Sequence, residues 1–295
     1  MRTRTEPALR NQARSIAWIV DQAYVPGGSH EQQLDLYVPT DRKGEALIVY
    51  IHGGAWVAGD KIGDSLNPNN LQWLWEGYAM ASINYRLAQN AKWPAQLQDC
   101  KAAIRWLKAH AIQYGYDPSR MAVVGESAGG HLAALLGTTS NTRTFDVGEN
   151  LDKMSSVACV IAMFGVSDVG RLPWVAECLF GAAGALDSDL VRTASPIAYV
   201  YRDQPPVLLI HGTDDQIIPY EQSEIFADAM DKVGARYHFH TVVGGGHNPY
   251  FGLGINSTTG RCDAGGGGIG VFADRAAEPM ILAFLHENLE AKANS

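Results

Sequence analysis

Runs of basic residues are missing. The 23 lysines and arginines are scattered among 31 aspartates and glutamates, giving a formal net charge of −8 at pH 7. Nucleic acids are held by cations that neutralise successive phosphates, so none is an expected partner. Long apolar runs are missing as well: no stretch reaches the ~18 consecutive apolar residues of a membrane-spanning helix. Met1-Arg2-Thr3-Arg4-Thr5-Glu6-Pro7 is basic, but no apolar segment follows it. The sequence therefore predicts no secretory leader and a cytoplasmic protein, with an exported mature form as the alternative.

Cysteine is scarce. Cys100, Cys159, Cys178 and Cys262 are the four in the chain, and no two form a C-x-x-C pair, which argues against a zinc or dithiol motif. They read as free core thiols, with a Cys178–Cys262 bridge as the alternative in an exported protein. His238 and His240 alternate along a strand without nearby acidic or thiol ligands, so no metal site is expected. Gly265-Gly266-Gly267-Gly268 lacks the Lys-Ser/Thr that completes a phosphate-binding loop and reads as plain loop. No cofactor is implied, internal repeats are absent, and nothing sets an oligomeric state.

What the chain does have is an ordinary apolar content of 46%, arranged as strand-length runs alternating with helical periodicities. Runs at Ala46–Ile51 and Val157–Phe164 are continuous enough to be buried on both sheet faces, and Tyr78–Tyr85, Arg120–Val124, Pro206–Ile210 and Tyr237–Val243 read as further strands. Between them, Leu97, Cys100, Ile104, Leu107 and Ala111 recur every three or four residues, and Tyr220 to Val233 has helical periodicity through Ile225, Phe226, Met230 and Val233. Arg275 to Glu290 closes the chain as a helix. A short helix is expected at 10–19, and two strands, 21–25 and 33–38, about Pro26-Gly27-Gly28. Residues 168–196 and 251–274 read as irregular insertions over a pocket, and 1–20 as an N-terminal arm or lid. Alternating strands and helices predict one α/β domain over 1–295: a mostly parallel central sheet with helices on both faces.

In such a sheet, functional groups gather beyond the carboxyl ends of the strands. Val123-Val124-Gly125-Glu126-Ser127-Ala128-Gly129 is a strand turning abruptly into a helix, with Ser127 at the turn in a G-x-S-x-G frame. A serine hydroxyl needs a neighbouring base to attack a carbonyl, and imidazole has the pKa to take and return that proton. His247, after the last strand, is the candidate base. A carboxylate must then hold the imidazole tautomer; Asp215 is the candidate, because Gln216-Ile217-Ile218-Pro219 turns directly into the next helix, and Asp214 is its rival. Charge developing on a substrate oxygen requires preorganised donors. The backbone N–H groups of Gly53, Gly54 and Ala55 in His52-Gly53-Gly54-Ala55-Trp56, with that of Ala128, are the expected oxyanion hole. His52 reads as a loop-holding side chain, His131 as a packing residue, Arg86–Asp99 as an ion pair and Asp168 as a turn or cap residue. Trp56 and Trp174 are candidate substrate-binding walls.

Together, His52-Gly53-Gly54-Ala55-Trp56, Asn84-Tyr85-Arg86-Leu87-Ala88, Gly125-Glu126-Ser127-Ala128-Gly129-Gly130-His131-Leu132 and His211-Gly212-Thr213-Asp214-Asp215 resemble the α/β-hydrolase serine esterases. The likeness is to the hormone-sensitive-lipase-like carboxylesterases and the feruloyl and acetyl esterase-like (BD-FAE-type) group. It implies the α/β-hydrolase fold and hydrolysis of a small carboxylic ester, short-acyl or aryl, through an acyl-enzyme. Ala55-Trp56 stands where the lipase-like pattern has a third glycine, a feature shared with arylformamidases, so cleavage of N-formylkynurenine is the alternative. A non-catalytic ligand-binding protein of this fold is the remaining one.

Overall fold

Strands form where β-branched and apolar residues run without a break, and helices where apolar residues recur at three and four. The computed structural model describes residues 15–41, 43–62, 68–247 and 277–290. Its strands are β1 (Ile16–Ala23), β2 (Gln33–Pro39), β3 (Glu45–Ile51), β4 (Ala79–Ile83), β5 (Tyr116–Glu126), β6 (Cys159–Met163), β7 (Val207–Gly212) and β8 (Tyr237–Val242). Its helices are α1 (Pro68–Glu76), α2 (Ala95–Tyr114), α3 (Ala128–Thr138), α4 (Pro173–Gly184), α5 (Ser188–Thr193), α6 (Glu221–Val233) and α7 (Ala277–Leu289). The strands make one sheet in the order β1-β2-β4-β3-β5-β6-β7-β8. β1 and β2 join antiparallel, and every pairing from β4 to β8 is parallel.

Alternation along each strand sends side chains to two cores. Leu47, Val49 and Ile51 of β3 join Val123 of β5, Leu97, Ile104 and Leu107 of α2, and Phe226 and Met230 of α6 on one face. Ile48 and Tyr50 join Val124, Ile161, Leu208 and Ile210 with Trp73 and Leu74 of α1 and Ile281, Phe284 and Leu285 of α7 on the other. A one-residue slip of any central strand would exchange the two sets, so the burial on both faces pins the register. Because β3, β5, β6, β7 and β8 are parallel, their carboxyl ends lie along one edge. The segments at 52–56, 127, 212–215 and 243–247 all leave the sheet there.

The loop that follows α3 is stitched to α2 by cations taken out of water. Lys101 Nζ donates to the Thr139 and Thr142 carbonyls and pairs with Asp146 at 3.3 Å, and Arg105 Nη1 lies 3.4 Å from the same carboxylate oxygen. Arg105 also donates to the Glu149 and Val147 carbonyls, and Lys108 Nζ to Ser156 Oγ.

Two expected elements differ. The helix expected at 10–19 is, from Ile16 onward, strand β1, antiparallel to β2; residues 10–14 lie outside the described set. Ile16, Trp18, Ile19 and Val20 are β-branched or aromatic and suit a pleated surface better than a helix, and the exposed edge of β2 supplies their backbone partners. Residues 168–196 are not irregular. Pro173 opens α4 at a position where its missing N–H is not needed, and the Asp187 carboxylate caps α5 by accepting from the N–H groups of Asp189 and Leu190. The second expected insertion, 251–274, and with it Cys262, lies outside the described residues. Cys100 and Cys159 are buried free thiols and Cys178 is a half-buried one. Burial pushes the Cys159 thiol up to about 12.

Candidate active site

Geometry at Ser127 follows from the glycines around it. The strand-to-helix turn holds Ser127 at φ 54°, ψ −117°, a left-handed conformation that L-residues avoid and that persists only where its surroundings enforce it. A Cβ on Gly125 would lie 2.2 Å from the Gly129 carbonyl oxygen, and one on Gly129 would lie 2.1 Å from that of Ile51. Backbone meets backbone at both positions, so neither admits a side chain. Ser127 N–H donates to the Met163 carbonyl at 3.0 Å, tying the turn to the end of β6.

His247 reaches this turn from the far side of the sheet edge. Its Nε2 is 3.1 Å from Ser127 Oγ, and its Nδ1 is 2.7 Å from Asp215 Oδ2. A carboxylate only accepts, so Nδ1 carries the proton and Nε2 presents a lone pair to the serine hydroxyl. The Phe164 ring meets the imidazole edge to face at 4.9 Å. Asp215 is buried, and Asp214 is exposed, accepting instead from Thr213 Oγ1. Burial alone would raise the Asp215 carboxyl. Hydrogen bonds from His211 and His247, and from backbone N–H, outweigh it and hold the group well below the usual carboxylate range. Oδ1 accepts from the N–H groups of Ile217 and Ile218 at 2.8 and 2.9 Å.

Across the elbow lies the loop 52–62. Gly53 packs against it so closely that a Cβ there would sit 3.2 Å from the Glu126 carbonyl oxygen and 3.5 Å from Ser127 Cβ. Gly54 turns the chain at φ 106°, its carbonyl accepting from the N–H groups of Val57 and Ala58, and Ala55 and Trp56 follow at φ 51° and 61°. Three consecutive left-handed residues need external support. Tyr85 stacks on His52 at 4.4 Å, and its hydroxyl donates to the His52 carbonyl at 3.1 Å. His52 Nδ1 bonds the Gly53 carbonyl. At the far end Lys61, wholly buried, pairs with Asp21 and Asp35 at 2.7 and 2.9 Å. Ala128 is the first residue of α3, so its N–H has no partner within the helix and sits at the positive end of the helix dipole.

The structure thus brings together Ser127, His247, Asp215, the Gly53-Gly54-Ala55 turn and the start of α3. Trp56 is a correction. Expected to wall a substrate, it is only 1% exposed, because its left-handed backbone turns the indole inward, where Nε1–H donates to His131 Nδ1 at 3.2 Å. His131 in turn donates Nε2–H to the Ala194 carbonyl at 2.7 Å, so it is a neutral packing residue. Burial, partly opposed by the Ala194 bond, lowers its pKa to about 4. Trp174 on α4 is half-buried, 6.5 Å from Trp56. Arg86 grips Asp99 with Nε and Nη2 at 2.7 and 2.9 Å, and the Asp168 carboxylate accepts from Gly170 N–H as a cap. Among the described residues, no group of three His, Cys, Asp or Glu side chains could hold a metal ion, and no helix is long and apolar enough to cross a membrane. One residue that sequence reasoning passed over is His211, buried beneath Asp215; the signal for it was its position four residues before that carboxylate.

Comparison with known proteins points the same way. The BD-FAE family model matches residues 34–230. The probable carboxylic ester hydrolase LipM of Mycobacterium tuberculosis is 32% identical over 204 residues, 65% of this chain and 47% of LipM; the chain thus spans about half of that relative's length. Among solved structures, a truncated carbohydrate esterase from gut microbiota superposes with a TM-score of 0.80 at 29% identity, covering 93% of this chain and 96% of that one. A butyrate-bound esterase of Thermogutta terrifontis superposes at 0.70 and 26% identity, covering 89% and 92%.

Proposed function

The chain belongs to the BD-FAE family and has the α/β-hydrolase fold, and from that premise we propose that it hydrolyses carboxylic esters of small molecules through Ser127, His247 and Asp215. The single observation that carries the proposal is the unbroken chain of hydrogen bonds from Asp215 through His247 to a serine held at positive φ. His247 Nε2 takes the Ser127 proton as Oγ attacks the ester carbonyl, and Asp215 stabilises the imidazolium that results. The N–H groups of Ala128 and of the Gly53-Gly54-Ala55 turn receive the oxyanion, each such donor being worth ~10²–10³ in rate. Collapse of the tetrahedral intermediate expels the alcohol with the proton from His247. Water, deprotonated by the same imidazole, then releases the acid from the acyl-enzyme.

Short acyl groups fit best with the likeness to the butyrate-bound esterase. The formamide alternative uses the same machinery. A panel of p-nitrophenyl acetate, butyrate and decanoate, aryl acetates and N-formylkynurenine tests both the ester bond and the acyl length. Turnover falling from butyrate to decanoate and lost in Ser127→Ala is the expected result; an undiminished Ser127→Ala refutes the proposal.

A further inference from the structure

Asp215 Oδ2 serves two imidazoles. His247 Nδ1 lies 2.7 Å from it, and His211 Nε2 lies 3.2 Å from it on the buried side. His211 Nε2 is also 2.9 Å from the Ile218 carbonyl. Both partners of this nitrogen only accept, so it must carry a proton, shared between them. The other ring nitrogen, Nδ1, is 2.7 Å from Ser223 Oγ on α6, and a serine hydroxyl can donate to it. His211 is 0% exposed and is a fixed part of the fold rather than a surface group.

We propose that His211 is a positioning residue for the hydrolysis: its Nε2–H holds Asp215 Oδ2 in line with His247 Nδ1 and draws off part of the charge that the carboxylate offers to the catalytic imidazole. The inference rests on the esterase proposal above. Its physical content is a competition. Oδ2 has a limited amount of electron density to give, and each donor that takes some weakens the bond to the other. With His211 in place, the His247 imidazolium is stabilised less than by an otherwise free carboxylate. The same bond, closed at its other end on Ile218, keeps the 215–218 turn from rotating the carboxylate away.

The surroundings of His211 leave this role to it. From α6 it faces Ser223 and, at the helix start, the Tyr220 ring at 5.7 Å, whose hydroxyl bonds Thr241 Oγ1 on β8. On β8 its register partner is Thr241. On the β6 side, Phe164 N–H closes on the Ile210 carbonyl. The acid in contact with it is Asp215, and through Asp215 the next titrating group is His247.

The test uses two substitutions that separate the bonds. His211→Asn keeps a polar group near Ser223 but is too short to reach Asp215, whereas His211→Gln extends an amide donor toward the position of Nε2. The pH dependence of kcat/KM on p-nitrophenyl butyrate reports the free-enzyme base, with active sites counted by fluorophosphonate titration and folding checked by urea denaturation. His211→Asn is expected to move the acid limb upward by about half a pH unit or more, the weight of one shared hydrogen bond, and to lower kcat/KM about 10-fold. His211→Gln is expected to return the limb to its wild-type position. Should His211→Asn yield no folded protein, Ser223→Ala frees the ring without removing it and carries the same prediction with a smaller shift. An acid limb unmoved in the folded variant overturns the inference, whatever happens to kcat/KM, because a purely structural loss lowers the rate without moving the limb. Failure of the esterase proposal shows elsewhere, as a wild-type protein without turnover or a Ser127→Ala protein that retains it.

Discussion

Acidification should loosen the loop 52–62 through one buried histidine. His131 accepts from Trp56 Nε1–H and donates to the Ala194 carbonyl, so it has no second acceptor to receive a proton added at Nδ1, where an indole N–H already points. Its folded pKa is lowered to about 4, against about 6.5 for an unfolded chain. Between those values the unfolded state binds more protons, so stability rises with pH. The contribution is fully present above the unfolded pKa and is lost as pH falls toward the folded one. Worked through the linkage relation, the loss between pH 7 and pH 5 is about 2 kcal/mol, with a ceiling of about 3 kcal/mol at lower pH. Other groups titrate over the same range, so the assay is a difference. Urea unfolding of wild type and His131→Gln at both pH values should show a pH 7 to pH 5 loss that is about 2 kcal/mol smaller in the variant, which has nothing to protonate. Equal losses in the two proteins would refute the reasoning.

Three further outcomes follow from the same contacts. Asp215→Asn removes the acceptor that fixes the His247 tautomer and should lower kcat on a p-nitrophenyl ester by ~10³–10⁴, while Asp214→Asn, at an exposed carboxylate, should stay within about twofold. Gly125→Ala places a Cβ 2.2 Å from the Gly129 carbonyl oxygen; it should cost about 1–3 kcal/mol in urea unfolding and depress kcat more than KM, because the nucleophile moves with the turn. Asp146→Asn leaves Lys101 and Arg105, both 0% exposed, without their shared counter-charge and should destabilise by about 3–5 kcal/mol, with turnover per folded molecule unchanged.

Much of this architecture is legible in the residues. Ala46–Ile51, Val123–Val124 and Val207–Ile210 are apolar without interruption, which only a strand covered on both faces tolerates, and the parallel sheet follows from their alternation with helices. Ser127, Asp215 and His247 are legible as candidates because each stands just beyond the carboxyl end of a strand. Other features depend on contacts that pattern reasoning does not reach. Ala13, Ile16 and Ala17 have helical spacing, yet the open edge of β2 draws residues 16–23 into a strand. Trp56 follows two glycines that suggest an open loop, and only its positive φ turns the ring inward onto His131. His211 stands four residues before the acid, but spacing alone does not establish their contact, which requires the 215–218 turn to fold back over the end of β7. Helices α4 and α5 carry their start signals in Pro173 and Asp187, but Gly181, at φ 76°, interrupts the periodicity within α4.

The central claim is that one serine, held at a strained turn, is the nucleophile. Intact-mass spectrometry after fluorophosphonate treatment tests it most directly, with the adduct mapped by peptide sequencing. One adduct per chain on the Ser127 peptide, abolished in Ser127→Ala and strongly slowed in His247→Ala, is the predicted result. An adduct on a different serine, or full reactivity without His247, would contradict it.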